Sequence, residues 1–189
     1  MLILLSSFYL IYFVKQISLK KRGINTNRLA KGTKPKRTRL IETCLLFVTY
    51  ATAAVQYLSV FVSTKMGKAE LPAFVNAIGI FITLSGVVFF AFAILAMRDN
   101  WRAGIDKTQK TNIVSNGIYR YSRNPAFVGF DLLYIGTALT FTNILIIIFT
   151  VIAVIFLHLQ ILEEEKYLAL EFGEVYTNYR SKTARYLLF

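Results

Sequence analysis

The 189-residue chain has one cysteine, Cys44, and one histidine, His158. A single cysteine excludes an internal disulfide and any multi-cysteine metal site. A single histidine argues against a histidine-built metal centre, because such centres combine several ligands. Cys44 lies inside an apolar run and reads as a small buried helix residue. Acids are scarce as well: ten Asp and Glu stand against 22 Lys and Arg, for a net charge of +12. The chain has no internal repeat, no Walker loop, no zinc pattern and no Gly-x-Gly-x-x-Gly, so a Rossmann-type dinucleotide site has no support. What is abundant is apolar: 56% of residues are hydrophobic, with 16 Phe and 11 Tyr. That is not the usage of a soluble domain, and the length suits one domain.

Five apolar runs are expected to be helices: Met1 to Val14, Leu40 to Val62, Pro72 to Met97, Pro125 to Phe141 and Asn143 to Leu162. About 20 apolar residues cross a hydrocarbon core, which the second, third and fifth runs satisfy. The fourth is short, but Thr140-Phe141-Thr142-Asn143 joins it to the fifth through a tight polar link, as in a helical hairpin. The first run lacks the basic leader and small-residue cleavage site of a signal peptide. It has no Pro or Gly to break it, so a span reaching about Ser18 is expected, with Lys15 snorkelling to the interface.

Charge orients these spans. The loop from Lys15 to Arg39 carries ten Lys or Arg and no acid, the loop from Arg98 to Asn124 six, and the tail after Leu162 four. Ser63 to Leu71 holds only Lys65, Lys68 and Glu70. Five spans place 20 of the 22 basic residues on one side, which should be cytoplasmic, with the amino terminus outside. The excess charge is therefore expected to meet anionic lipid headgroups rather than nucleic acid. Lys20-Lys21-Arg22 and Lys34 to Arg39 are also candidates to hold an anionic substrate.

Two blocks at the cytoplasmic ends of spans are out of keeping with simple anchoring. The first runs from Gly117 to Gly129. Asn116-Gly117 marks a turn, Pro125 suits the first helical turn, and Asn124 is a candidate cap for that helix. Asp131 lies farther into the span, where a carboxylate is costly unless paired or facing a wet cavity; Arg120 and Arg123 are its candidate partners. The second block follows the fifth span, and half of the ten acids fall between Glu163 and Glu174. Glu164, Leu168 and Phe172 share one helical face, Gly173 can end the helix, and Tyr176 and Tyr179 lie beyond it. His158 is either a satisfied interior histidine or a hydrogen-bond partner of Glu165. In the third span, Gly79, Ser85 and Gly86 permit close helix contact.

In order and spacing these blocks resemble the isoprenylcysteine carboxyl methyltransferase and phospholipid methyltransferase superfamily. The resemblance rests on Gly117-Ile118-Tyr119, Arg123-Asn124-Pro125-Ala126-Phe127, Gly129, Glu164-Glu165, Leu168, Phe172-Gly173, Tyr176 and Tyr179, with Trp101 to Ile105 similar to the segment that often precedes them. Two positions depart from the pattern: Asn124 replaces the family's histidine and Phe127 its tyrosine. Asparagine keeps hydrogen-bonding capacity but cannot titrate near neutral pH.

The resemblance implies an all-α, polytopic membrane protein with about five transmembrane helices and a cytoplasmic C-terminal helical segment. It is one membrane domain over 1–189: residues 1–97 hold the first three spans and 98–189 the cofactor-binding half. It implies S-adenosylmethionine as cofactor and a lipophilic or prenylated acceptor. Trp101, Tyr119, Arg123, Asn124, Pro125, Phe127, Glu164, Glu165 and Tyr176 are the expected cofactor-binding residues, and Arg123 and Glu165 the expected catalytic ones, with Asp131 added from its place in the span rather than from the resemblance. Carboxylates and aromatic faces suit a sulfonium cation. An amine acceptor needs a base, so the missing histidine favours a carboxylate. The alternatives are a membrane reductase of the sterol or steroid type and a catalytically inactive membrane adaptor.

Overall fold

A computed structural model describes residues 1–62, 69, 71–104 and 112–187. Five helices dominate it: α1 (Leu2–Lys21), α2 (Lys36–Val62), α3 (Ala73–Met97), α4 (Pro125–Phe141) and α5 (Ile144–Lys182). Two short 3-10 turns, Arg98–Asn100 and Gly117–Arg120, lie between α3 and α4. Among the described residues the extended pairing is one isolated bridge, Asn27 with Ala103, so the fold is all-α. Lys65, Lys68, Glu70 and Ile105 lie outside the described residues.

α1, α2, α3 and α5 are each long and apolar enough to cross a membrane, and α4 is a shorter apolar helix. The helices outrun their apolar segments at polar ends, because backbone hydrogen bonding does not stop where hydropathy does. The continuous stretch of α5 before Gly173 is about 44 Å long against a hydrocarbon core of about 30 Å. Its end beyond Leu162 must therefore stand clear of the membrane. At Gly173, where the backbone is non-helical (φ +52°, ψ −123°), the first helical segment ends as expected, and a second segment continues past the kink to Lys182.

α3 and α4 form the tightest seam, through glycines on both helices. A Cβ on Gly79 would lie 2.8 Å from the Gly136 carbonyl oxygen, and one on Gly86 2.8 Å from that of Gly129. The expected close contact is thus made by Gly79 and Gly86. Ser85 is half-buried and bonds back to the Phe81 carbonyl. At the hairpin, Asn143 caps α5 by accepting from the Ile146 N–H at 3.0 Å and donates to Ser59 on α2.

Buried aromatics fill the centre, with Phe8 stacked on Phe90 at 4.3 Å and Tyr12 edge-on to Trp101. A chain of polar contacts crosses the interior: Tyr9 donates to Gln56 at 2.6 Å and Gln56 to Thr137 at 2.8 Å, tying α1, α2 and α4 together. Cys44 is half-buried rather than enclosed.

The basic loop between α1 and α2 folds back on the chain. Arg28 donates to the Ala103 carbonyl and Ala103 to that of Thr26. Gly104, at φ +89°, backs onto Leu29 so closely that a Cβ there would sit 2.8 Å from its nitrogen. Lys34 is buried, with its ammonium 2.6 Å from Glu42, and Arg37 faces Glu163 at 3.6 Å. Lys34 thus serves an internal acid rather than standing free for an anionic substrate, while the Arg37 side chain stays largely exposed.

Candidate functional site

Three consecutive glutamates organise the polar end of the apolar stretch of α5. Successive helical residues are rotated by about 100°, so each faces a different neighbour. Glu163 accepts from Thr38 of α2 at 2.6 Å. Glu164 accepts from Gln160 at 2.9 Å and lines two cavities. Glu165 turns the other way and is held between two guanidinium groups, Arg123 at 2.8 Å and Arg185 at 2.8 Å.

The pair Arg123–Glu165 is the centre of a clip. Arg123 reaches Glu165 through Nε and Nη2, while Nη1 donates to the carbonyls of Arg180 and Thr183. Its backbone N–H donates to Ala184 at 2.9 Å. Asn124 donates from Nδ2 to the Arg185 carbonyl at 3.1 Å, and Ser122 donates to the same carbonyl. The chain after α5 is thereby pinned across the first block. The sequence reading missed Arg185, because nothing in a lone arginine near the terminus says that the tail folds back.

These bonds also revise the local expectations. Asn124 precedes α4 with Pro125 at its first turn, but no side-chain cap bond forms, because the amide is spent on the tail. Asp131 pairs with neither arginine: Arg123 is taken by Glu165, and Arg120 is exposed at the outer surface. Asp131 Oδ1 has no hydrogen-bond partner among the described residues. His158 bonds the Tyr186 hydroxyl at 2.6 Å and not Glu165.

Two cavities meet at the same wall. The outer one, about 160 Å³, lies between the first block, the end of α5 and the segments at 97–104 and 112–114. Trp101, Tyr119, Arg123, Asn124, Phe127, Glu164 and Tyr176 all line it. Pro125, Glu165 and Asp131 line neither cavity; Pro125 and Glu165 are packed behind the wall, and Asp131 lies deeper in α4. Tyr179 closes one side, donating to the Tyr119 carbonyl at 2.7 Å. The inner cavity, about 260 Å³, lies within the bundle and is lined by apolar and aromatic side chains of α1, α2, α4 and α5, among them Tyr12, Leu45, Phe130 and Leu157. Trp101, Arg102, Gly104, Ala126, Phe127 and Glu164 belong to both.

Electrostatics differ sharply along α5. Burial pushes the Glu164 carboxyl up to about 7, with the Gln160 hydrogen bond opposing it only in part. Burial acts upward on Glu165 as well, but hydrogen bonds from Arg185 and Arg123 outweigh it and hold that carboxyl below the usual range. The outer cavity therefore offers aromatic faces and one acid whose charge changes near neutrality, a lining suited to an aromatic ligand with a cationic centre.

Against known proteins, the phospholipid methyltransferase family matches residues 74–175. The protein-S-isoprenylcysteine O-methyltransferase of Schizosaccharomyces pombe is 37% identical over 71 residues, covering 37% of this chain and 30% of that protein. The protein of the same name from Xenopus laevis is 31% identical over 110 residues, covering 57% of this chain and 38% of that protein. The chain thus matches about a third of the length of these curated relatives. The family match takes in Trp101, the first block and all three glutamates, and stops before the tail that carries Arg185.

Proposed function

Because the chain belongs to the phospholipid methyltransferase family, we propose that this integral membrane protein transfers a methyl group from S-adenosylmethionine to the polar head of a lipophilic, prenylated acceptor. The observation that carries the reading is the shared wall: a polar-edged cavity and an apolar one have Trp101, Arg102, Gly104, Ala126, Phe127 and Glu164 in common. A soluble methyl donor and a membrane-borne acceptor need that juxtaposition. The cytoplasmic placement of the outer cavity follows from the basic loops around it.

When bound, S-adenosylmethionine supplies an electrophilic methyl group on a sulfonium centre. Trp101, Tyr119 and Tyr176 offer aromatic faces to the nucleoside and its cation. Glu164 stands at the wall, where an ionised carboxylate stabilises positive charge. Phe127 and Trp101 keep water from the junction, and Arg123 holds the first block in place through Glu165 and the tail. The main contribution asked of these residues is in-line positioning of the acceptor. A carboxylate acceptor suits a dry site, because opposite charges neutralise as it reacts. It also needs no base, and Glu165 and Asp131, the acids that would serve an amine, line neither cavity. The relatives are named as O-methyltransferases, which accords with this choice.

The test is transfer of labelled methyl groups from S-adenosylmethionine into native lipid extract by the purified protein in bilayers. Base-labile methyl esters on prenylated species are expected. Label confined to N-methylated lipid would overturn the carboxylate assignment, and no incorporation would overturn the enzyme reading.

A further inference from the structure

One side chain of the tail reaches back to the site without touching either cavity. Arg185 donates to Glu165 Oε2 through Nε at 3.1 Å and Nη2 at 2.8 Å, and it lines neither the outer nor the inner cavity. Its backbone carbonyl accepts from the Asn124 amide at 3.1 Å and from the Ser122 hydroxyl at 3.3 Å. One residue thus holds the first block twice. Its side chain acts on Arg123 through Glu165, and its main chain acts on Asn124 directly. Arg123 and Asn124 both line the outer cavity.

The division of bonds over the Glu165 carboxylate gives this arrangement its direction. Oε1 takes Arg123, through Nη2 at 2.8 Å and Nε at 3.3 Å, while Oε2 takes Arg185. A carboxylate shared between two guanidinium forks cannot rotate without breaking a charge-assisted bond. Without Arg185 the carboxylate can turn about its last bond, and the Arg123 guanidinium must follow it. Arg123 also donates from Nη1 to the carbonyls of Arg180 and Thr183, so its displacement reaches the end of α5 that supplies Tyr176 and Tyr179 to the cavity. For stability alone Arg185 counts for less: its side chain is 29% exposed, and solvent screens such a charge. What the site takes from it is the planar fork, which an ammonium lacks.

We propose that Arg185 is a positioning residue for the methyl-donor site: through Glu165 and through its own carbonyl it fixes Arg123 and Asn124 in the wall of the outer cavity. The inference rests on the functional reading above. It extends the donor site to the tail, which lies beyond the family match at residues 74–175.

Calorimetric titration of S-adenosylhomocysteine into the purified protein in detergent, with melting temperature read on the same samples, tests this. Arg185→Ala should bind on the order of ten-fold more weakly than the wild type, the effect of misplacing one or two hydrogen-bonding groups. Its melting temperature should fall by only a few degrees. Arg185→Lys, which keeps the charge and loses the fork, should show most of the same loss of affinity. Millimolar guanidinium chloride should restore part of the affinity of R185A, and methylammonium chloride should not. A tail that merely braces the bundle predicts neither the failure of lysine nor the rescue by a free fork. Wild-type affinity in R185K overturns the proposal even where R185A does not fold, and so does a loss in R185A that guanidinium leaves untouched. If the wild type itself does not bind S-adenosylhomocysteine, the methyltransferase reading fails, and hydrogen exchange decides the role of Arg185. Amides from Gly117 to Asn124 should then exchange faster in R185K than in the wild type, and equal rates there overturn the proposal.

Discussion

Glu163, Glu164 and Glu165 are identical in chemistry and adjacent in sequence, yet the fold gives them three different tasks. Glu165 is the structural one: both oxygens are spent on Arg123 and Arg185. Glu165→Gln leaves Arg123 buried without its counter-charge, and is expected to cost about 3 kcal/mol, with less of it from the more exposed Arg185. Thermal unfolding should fall accordingly, and limited proteolysis should trim the tail after Lys182 first. Because this carboxyl lies below its ordinary value in the folded state, its stabilisation is present above about pH 4.3. It is lost as pH falls through the lower folded-state value, and E165Q should lack that acid-dependent component. Glu164 behaves oppositely. Raised to about 7 by burial, it is protonated below neutrality, so binding of S-adenosylmethionine should tighten as pH rises from 6 to 8. Glu164→Gln should flatten that dependence in isothermal titration. A profile that persists in E164Q would place the responsible group elsewhere.

Among elements, the α3–α4 seam and the α5 kink use glycine for different reasons. At Gly136 the need is space: a Cβ there would lie 2.5 Å from the Thr83 nitrogen and 2.6 Å from the Gly79 carbonyl oxygen. Both obstacles are backbone, so neither can yield without moving a helix. Gly136→Ala should therefore destabilise the bundle by about 1–3 kcal/mol. At Gly173 the need is conformation, φ +52° with nothing within 4 Å of an added Cβ. Gly173→Ala should cost only the local backbone penalty of about 1–3 kcal/mol. It should also straighten α5 and draw Tyr176 and Tyr179 from the outer cavity, lowering cofactor affinity more than melting temperature. Comparing melting temperature with S-adenosylhomocysteine affinity for the two variants distinguishes crowding from kinking.

For the whole molecule the consequence is orientation. The basic loops and the tail lie toward the end that holds the outer cavity, and the positive-inside bias is the ground for proposing that this end faces the cytoplasm. In a Cys44→Ala background, a cysteine at Lys182 should be labelled by a membrane-impermeant thiol reagent only from the cytoplasmic side. One at Ala69, which is exposed at the opposite end, should be labelled only from the other. The reverse pattern would invert the proposed topology and with it the route of the methyl donor. The spans themselves were legible in the sequence: the expected run Pro125 to Phe141 is α4 to the residue, and the hairpin at Asn143 was marked by its polar link.

Composition and hydropathy alone determined that this chain is a bundle of apolar helices with its charge gathered at one end. Those are properties of each segment, and the cost of burying or exposing a residue in lipid does not depend on which helix lies beside it. The partners of the charged groups were decided only by tertiary structure. The bond from Arg123 to Glu165 spans 42 residues, that from Arg123 to the tail carbonyls about 60, and Lys34 lies buried against Glu42. Which cation neutralises which acid depends on distances of a few ångströms between remote segments, and neither residue type nor spacing along the chain encodes them.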